Sequence, residues 1–147
     1  MMLTRRLFIA TALGAAAFPA LAGEPPIYSA SGLALGGYDP VSYFSEGGPV
    51  RGKEAYQLMW MGTTWRFSTA TNRERFERMP QKYAPAYGGY CAYAASEGYV
   101  APTDPEAFTI HEGRLFLNAS RAVRTIWTKS AAARIETADK AWPGLLK

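Results

Sequence analysis

From Ala55 to Thr69 the chain alternates and then changes period. "AYQLMW" and "TWRFST" are β-favouring runs on either side of Met61-Gly62-Thr63, a pattern that predicts a β-hairpin. The following "STATNRERFERMP" reads as a helix. Ser68, Thr69 or Thr71 can cap it, Phe76 and Met79 share a face at i, i+3, and Pro80 stops it. A second hairpin is predicted in "AFTIHEGRLFLN", with Glu112-Gly113 turning between runs rich in Phe, Leu and Ile. Asn118 then suits the N-cap of a long final helix, about Ala119 to Ala141. On it Val123, Ile126, Trp127, Ala131, Ile135, Ala138 and Trp142 recur at steps of three and four as one apolar stripe. Upstream, "IYSASGLALGGYDPVSYF" reads as two short extended pieces punctuated by Gly36-Gly37 and Asp39-Pro40. The expected architecture is a small α+β domain, with antiparallel hairpins packed against a short helix and a long C-terminal helix.

The first residues carry a different signal. "TRRLFIATALGAAAFPALA" joins Arg5-Arg6 to an apolar run and an Ala20-Leu21-Ala22 site before Gly23, which reads as a cleavable twin-arginine export signal over residues 1–22. The run from Leu7 to Ala22 is about 16 residues, short of the roughly 20 that a spanning helix needs. Cleavage is therefore preferred to a retained anchor. A periplasmic destination follows, with residues 23–147 forming one domain and no integral membrane segment after cleavage. Losing Arg5 and Arg6 lowers the formal charge from +4 to about +2, so the basic balance gives no reason to expect nucleic acid as a partner. The single cysteine excludes an internal disulfide, and packing by four Trp and nine Tyr has to hold the domain together.

Several short motifs occur in a recognisable order: "GGYDPVSYF", "TWRF", "NRERFERMPQKYAPAYGGYCA", "DPEAF", "GRLFLN" and "ADKAWP". Together they resemble exported proteins of the YHS-domain family over most of residues 36–143, most specifically from Trp65 to Ala92. The resemblance implies a small α+β module and an association with heavy-metal transport. Its metal chemistry rests on one cysteine in a "DPVCGM" block and two in an "FCSxxC" step, a spacing at which thiolates converge on a soft metal. In this chain those positions match Ser42, Ser68 and Asn72, and the Tyr-His-Ser tripeptide is absent.

The candidate chemistry is sparse. Cys91 lies among tyrosines with no Lys or Arg within eight residues on either side. It reads as a small buried hydrophobe or as a soft ligand or nucleophile. His111, the only histidine, stands at a strand end; with Cys91 it is the candidate metal pair, for copper or another transition metal. Met59, Met61 and Met79 offer thioethers, with core packing as the plainer role. Asp39 and Asp104 each precede a proline and suit turn hydrogen bonds, and Asp139 can hydrogen-bond near the chain end. Nothing forms a paired acid/base signature, a phosphate loop or a serine elbow. Tyr87, Gly88, Gly89, Tyr90 and Cys91 form a glycine-hinged aromatic segment able to line a small-ligand pocket, or to make an aromatic core corner. Three readings stand: a YHS-like module binding a transition metal such as copper, a module binding a small organic ligand or periplasmic protein partner without metal, and a thiol-dependent enzyme using Cys91.

Overall fold

Both expected hairpins form, and their tips turn the same way. In a computed structural model describing residues 23–147, the chain runs β1 (Ser29–Ala30), β2 (Leu33–Ala34), α1 (Ser42–Ser45), β3 (Lys53–Trp60), β4 (Thr63–Phe67), α2 (Ala70–Arg78), α3 (Pro80–Tyr83), α4 (Ala92–Ser96), β5 (Asp104–His111), β6 (Arg114–Asn118), α5 (Arg121–Thr128) and α6 (Ala131–Ala141). Single 3-10 turns lie at Leu35–Gly37 and Ala86–Gly89. The expected export signal, residues 1–22, lies outside the described residues. The fold is α+β, and no helix among the described residues is long and apolar enough to cross a membrane.

Each hairpin closes through two residues of positive φ: Met61 at 49° and Gly62 at 76°, Glu112 at 49° and Gly113 at 77°. That combination suits the right-handed twist of the flanking strands. Thr63 therefore belongs to β4, paired with Trp60, rather than to the turn. The first sheet has the order β1-β2-β4-β3, and its β2–β4 contact is parallel (Leu33 opposite Thr64), an exception to the expected antiparallel pairing. The second sheet is β5-β6 alone.

Strand β6 divides the core in two, because successive strand side chains point to opposite faces. Leu115 and Leu117 join Trp65, Phe67 and Phe76 under the first sheet, while Phe116 joins Tyr87, Trp127 and Ala138 beneath the C-terminal helices. Phe76 lies 4.9 Å from Trp65 and edge-on to Trp60 at 5.5 Å, geometry worth about 0.5–1.5 kcal/mol per pair beyond burial. Arg114, Phe116 and Asn118 share the second face, and that placement builds the site described below.

Three local expectations are corrected. The long C-terminal helix is two helices broken at Lys129–Ser130. Thr128 donates its hydroxyl to Thr125 O (3.0 Å) in the last turn of α5, competition that weakens a helix locally, and Ser130, at φ −140° and ψ 34°, leaves the helical backbone before α6. With the break, α5 packs on the β5–β6 sheet and α6 against α4, and Ile126 is left exposed instead of joining the stripe. The cap of α5 is Ser120, accepting from Val123 N at 3.1 Å. Asn118 instead stays in β6 and accepts from Tyr93 N at 3.0 Å, near the start of α4. Met79, expected on the buried face of α2, is exposed. The proline that follows disfavours helical backbone at this position, and φ −139°, ψ 62° turns Met79 off the helix. Met59 and Met61 are exposed as well.

Candidate functional site

Ser42, Ser68 and Asn72 come together around Asp39, Ser68 and Asn72 on its carboxylate and Ser42 on its main-chain carbonyl. Asp39 is fully buried, and its Oδ1 accepts from Val41 N at 2.8 Å. Its Oδ2 accepts from Ser68 N, Ser68 Oγ and Asn72 Nδ2, each at 2.8 Å. Ser42 Oγ lies 2.7 Å from Asp39 O and 3.0 Å from Gly48 O, and accepts from Val50 N at 3.1 Å. A soft cation needs lone pairs directed at a common point. Ser68 and Asn72 direct protons there instead, and Asp39 Oδ2 already accepts three hydrogen bonds, so this donor set does not fit a thiolate-type metal site.

Cys91 and His111 are not brought together. The Cys91 thiol is 2% exposed and lies 3.5 Å from Asn118 Oδ1, its hydrogen-bond acceptor. His111 pairs with Arg114 at the opposite end of the hairpin. Four strand steps from Arg114 to Asn118 separate the two ends by about 13 Å. A Cys/His dyad or a two-coordinate copper site on this pair therefore has no geometric basis, and the Cys91 thiol is buried. Among the described residues no group of three or more His, Cys, Asp or Glu is placed to hold a metal ion.

The glycine-hinged aromatic segment has a different outcome. Tyr87, Gly88 and Gly89 all have positive φ, at 57°, 62° and 84°. Gly88 is required there because a Cβ would meet the Pro26 carbonyl. The segment is tied to the arm at residues 25–28: Tyr28 N donates to Gly88 O at 2.9 Å, and Tyr90 Oη donates to Pro25 O at 2.8 Å. Thr103 Oγ1 donates to Gly89 O at 2.6 Å on the other side. Tyr87, a non-glycine residue in a strained conformation, is held by ring contacts to Phe116 (5.9 Å) and Trp142 (6.0 Å).

This turn forms one wall of a cleft of about 730 Å³, into which both hairpin tips reach. The size is ordinary for a small-molecule site. Tyr87 and Gly88 line it, while Gly89, Tyr90 and Cys91 do not. Trp60 and Met61 come from the first hairpin, Gly113 and Arg114 from the second, and Asp139 and Trp142 from the C-terminal region.

A closed polar set lies within that wall. Arg114 forks onto Asp139, with Nη1 to Oδ2 at 2.9 Å and Nη2 to Oδ1 at 3.0 Å. Tyr87 Oη donates to Asp139 Oδ1 at 2.9 Å. The Arg114 hydrogen bonds hold the Asp139 carboxyl below its ordinary range. Burial, then the Asp139 carboxylate, pushes the Tyr87 phenol up, so at neutral pH it remains a proton donor. Because the folded Asp139 pKa lies below the unfolded value, its contribution to stability is complete above about pH 4 and is lost as the pH falls through the folded value. The difference in thermal midpoint between wild type and Asp139→Asn is thus expected to be constant near neutrality and to shrink below pH 4. A difference that grows on acidification would contradict the pairing. With both partners nearly half exposed, the effect is modest.

Lys82 also lines the cleft; the sequence marks neither it nor Arg114 nor Trp60 as a site residue, and it places Trp142 only on an apolar stripe. Arg114 and Asp139 are 25 residues apart, with no local signal joining them; only the "ADKAWP" motif marked one end. Comparison with protein-family models, curated proteins and solved structures finds no match for this chain.

Proposed function

We propose that this protein is an exported, YHS-like binding module whose ligand is a small organic molecule held in the cleft at Tyr87–Gly88. The observation that carries the reading is the cleft itself: a turn of three left-handed residues, tied on both sides, supplies a preformed wall opposite two hairpin tips. Preformed concavity lined by aromatic groups, with a few oriented polar side chains, is what small-ligand recognition needs. The reading needs neither a metal nor a reactive thiol. The motif order and the Arg5-Arg6 signal support the family and the periplasmic destination.

The test uses the neutral fluorescent probe N-phenyl-1-naphthylamine. It is expected to bind saturably and one-to-one, and Leu146→Asp, which puts a charge on the cleft wall near the chain end, is expected to weaken it about tenfold, an effect of about 1.4 kcal/mol. Ile126→Ser, on an exposed position that does not line the cleft, serves as the control. Absence of saturable binding, or equal weakening by both substitutions, would remove the cleft from the account.

A further inference from the structure

We infer that the occupant of this cleft is an amphipathic organic anion, a flat apolar body ending in a carboxylate or sulfonate; the inference rests on the cleft being the ligand site. Among the described residues three charged side chains line the cleft: Lys82, Arg114 and Asp139. Asp139 is consumed by the bidentate Arg114 contact and by the Tyr87 hydroxyl, so that pair is internally neutral. Lys82 is left over. No carboxylate among the described residues comes within salt-bridge reach of its ammonium, which lies 5.3 Å from the centre of the Tyr83 ring. Glu112, beside the second hairpin tip, lines a separate depression with His111 and does not line the cleft. Among the described residues the lining therefore carries one uncompensated positive charge.

The rest of the wall selects the body of the ligand. Trp60, Trp142, Pro143 and Leu146 offer flat or aliphatic surface with little hydrogen-bonding capacity. Burying a strongly polar body there would strand its donors and acceptors. A cationic end would meet Lys82 as a like charge, whereas an anionic end gains an attraction to it. Gln81, beside Lys82 on the same wall, adds an amide donor for the same anionic group.

Two probes of similar shape separate the charge from the body: 8-anilino-1-naphthalenesulfonate, an aromatic sulfonate, and neutral N-phenyl-1-naphthylamine. In the purified protein the sulfonate is expected to bind more tightly than the neutral probe, and Lys82→Gln is expected to lower the ratio of the two affinities about fivefold, the upper range for a partly solvated ion pair. Lys82→Arg is expected to keep the ratio. A ratio unchanged by Lys82→Gln would overturn the anion assignment while leaving the cleft as a ligand site. Failure of both probes to bind saturably would overturn the ligand site itself, and the inference with it.

Discussion

Replacing Asp39 by Asn is expected to destabilise the protein by about 3–5 kcal/mol, close to the cost of Asp39→Ala, although the two side chains Asp and Asn have nearly the same shape. All four hydrogen bonds to the Asp39 carboxylate are donated to it, from Val41 N, Ser68 N, Ser68 Oγ and Asn72 Nδ2. An asparagine has one carbonyl oxygen and one NH₂ group. If its oxygen faces Val41, its NH₂ faces the N–H groups of Ser68 and Asn72; if it is flipped, its NH₂ faces Val41. Either way a buried donor meets a donor. Ser68→Ala removes one hydroxyl donor and leaves the other three bonds, so its cost is expected to be about 1 kcal/mol. Urea denaturation of the three variants is the check. An Asp39→Asn variant within about 1 kcal/mol of wild type would show that the carboxylate is not what organises this corner.

The second large effect is expected at Gly88. Placing alanine there costs about 1–2 kcal/mol for a left-handed residue with a Cβ. A further 1–3 kcal/mol or so arises from overpacking, because the new methyl meets the backbone carbonyl of Pro26, which has no rotamer by which to escape. The arm has to move, stretching Tyr28 N to Gly88 O and Tyr90 Oη to Pro25 O. Pro26 and Ile27 line the cleft, so binding of the neutral probe should fall together with stability. Gly113→Ala isolates the two causes: its φ is also positive, at 77°, but a Cβ there meets nothing within 4 Å. Its cost should be confined to the conformational part. Equal destabilisation by both substitutions, measured by urea denaturation, would mean that the arm does not press on the Tyr87–Gly89 turn.

These two positions also show what the sequence could and could not reveal. The hairpins were legible because their determinants are local: alternating residues and a two-residue turn ending in glycine. The α2 cap was legible only to within Ser68, Thr69 and Thr71, of which Thr69 accepts from Asn72 N. The break between α5 and α6 was not, since the apolar stripe runs across it and only tertiary packing decides whether the backbone follows. Asn118 was misplaced because an asparagine before "ASRAV" is an acceptable cap, yet its strand face turns it towards α4. Asp39 was expected to close a turn, and its Oδ1 does so with Val41 N. Its other oxygen is engaged 29 and 33 residues away, a distance at which spacing carries no information.

The candidate site divides similarly. "AYGGY" was legible as a bent aromatic segment, since two adjacent glycines in a buried stretch imply unusual backbone. What the bend is for was not. The cleft depends on Arg114, Asp139, Trp60 and Trp142, which come from strands and helices that meet only in the folded chain. The Cys91 and His111 pairing failed for the complementary reason: twenty intervening residues allowed contact, and the hairpin placed them at opposite ends.

The four tryptophans provide the most direct test of the cleft as the ligand site. Trp60 and Trp142 line it, whereas Trp127 is fully buried in the second core and Trp65 in the first. In a titration with N-phenyl-1-naphthylamine followed by the indole N–H resonances, Trp60 and Trp142 are expected to shift together and saturate at one equivalent, with Trp127 unmoved. Trp65, whose indole N–H donates to Trp60 O at 3.0 Å, should respond more weakly than Trp60. Saturable binding that leaves Trp60 and Trp142 unshifted would place the ligand elsewhere and contradict the central claim.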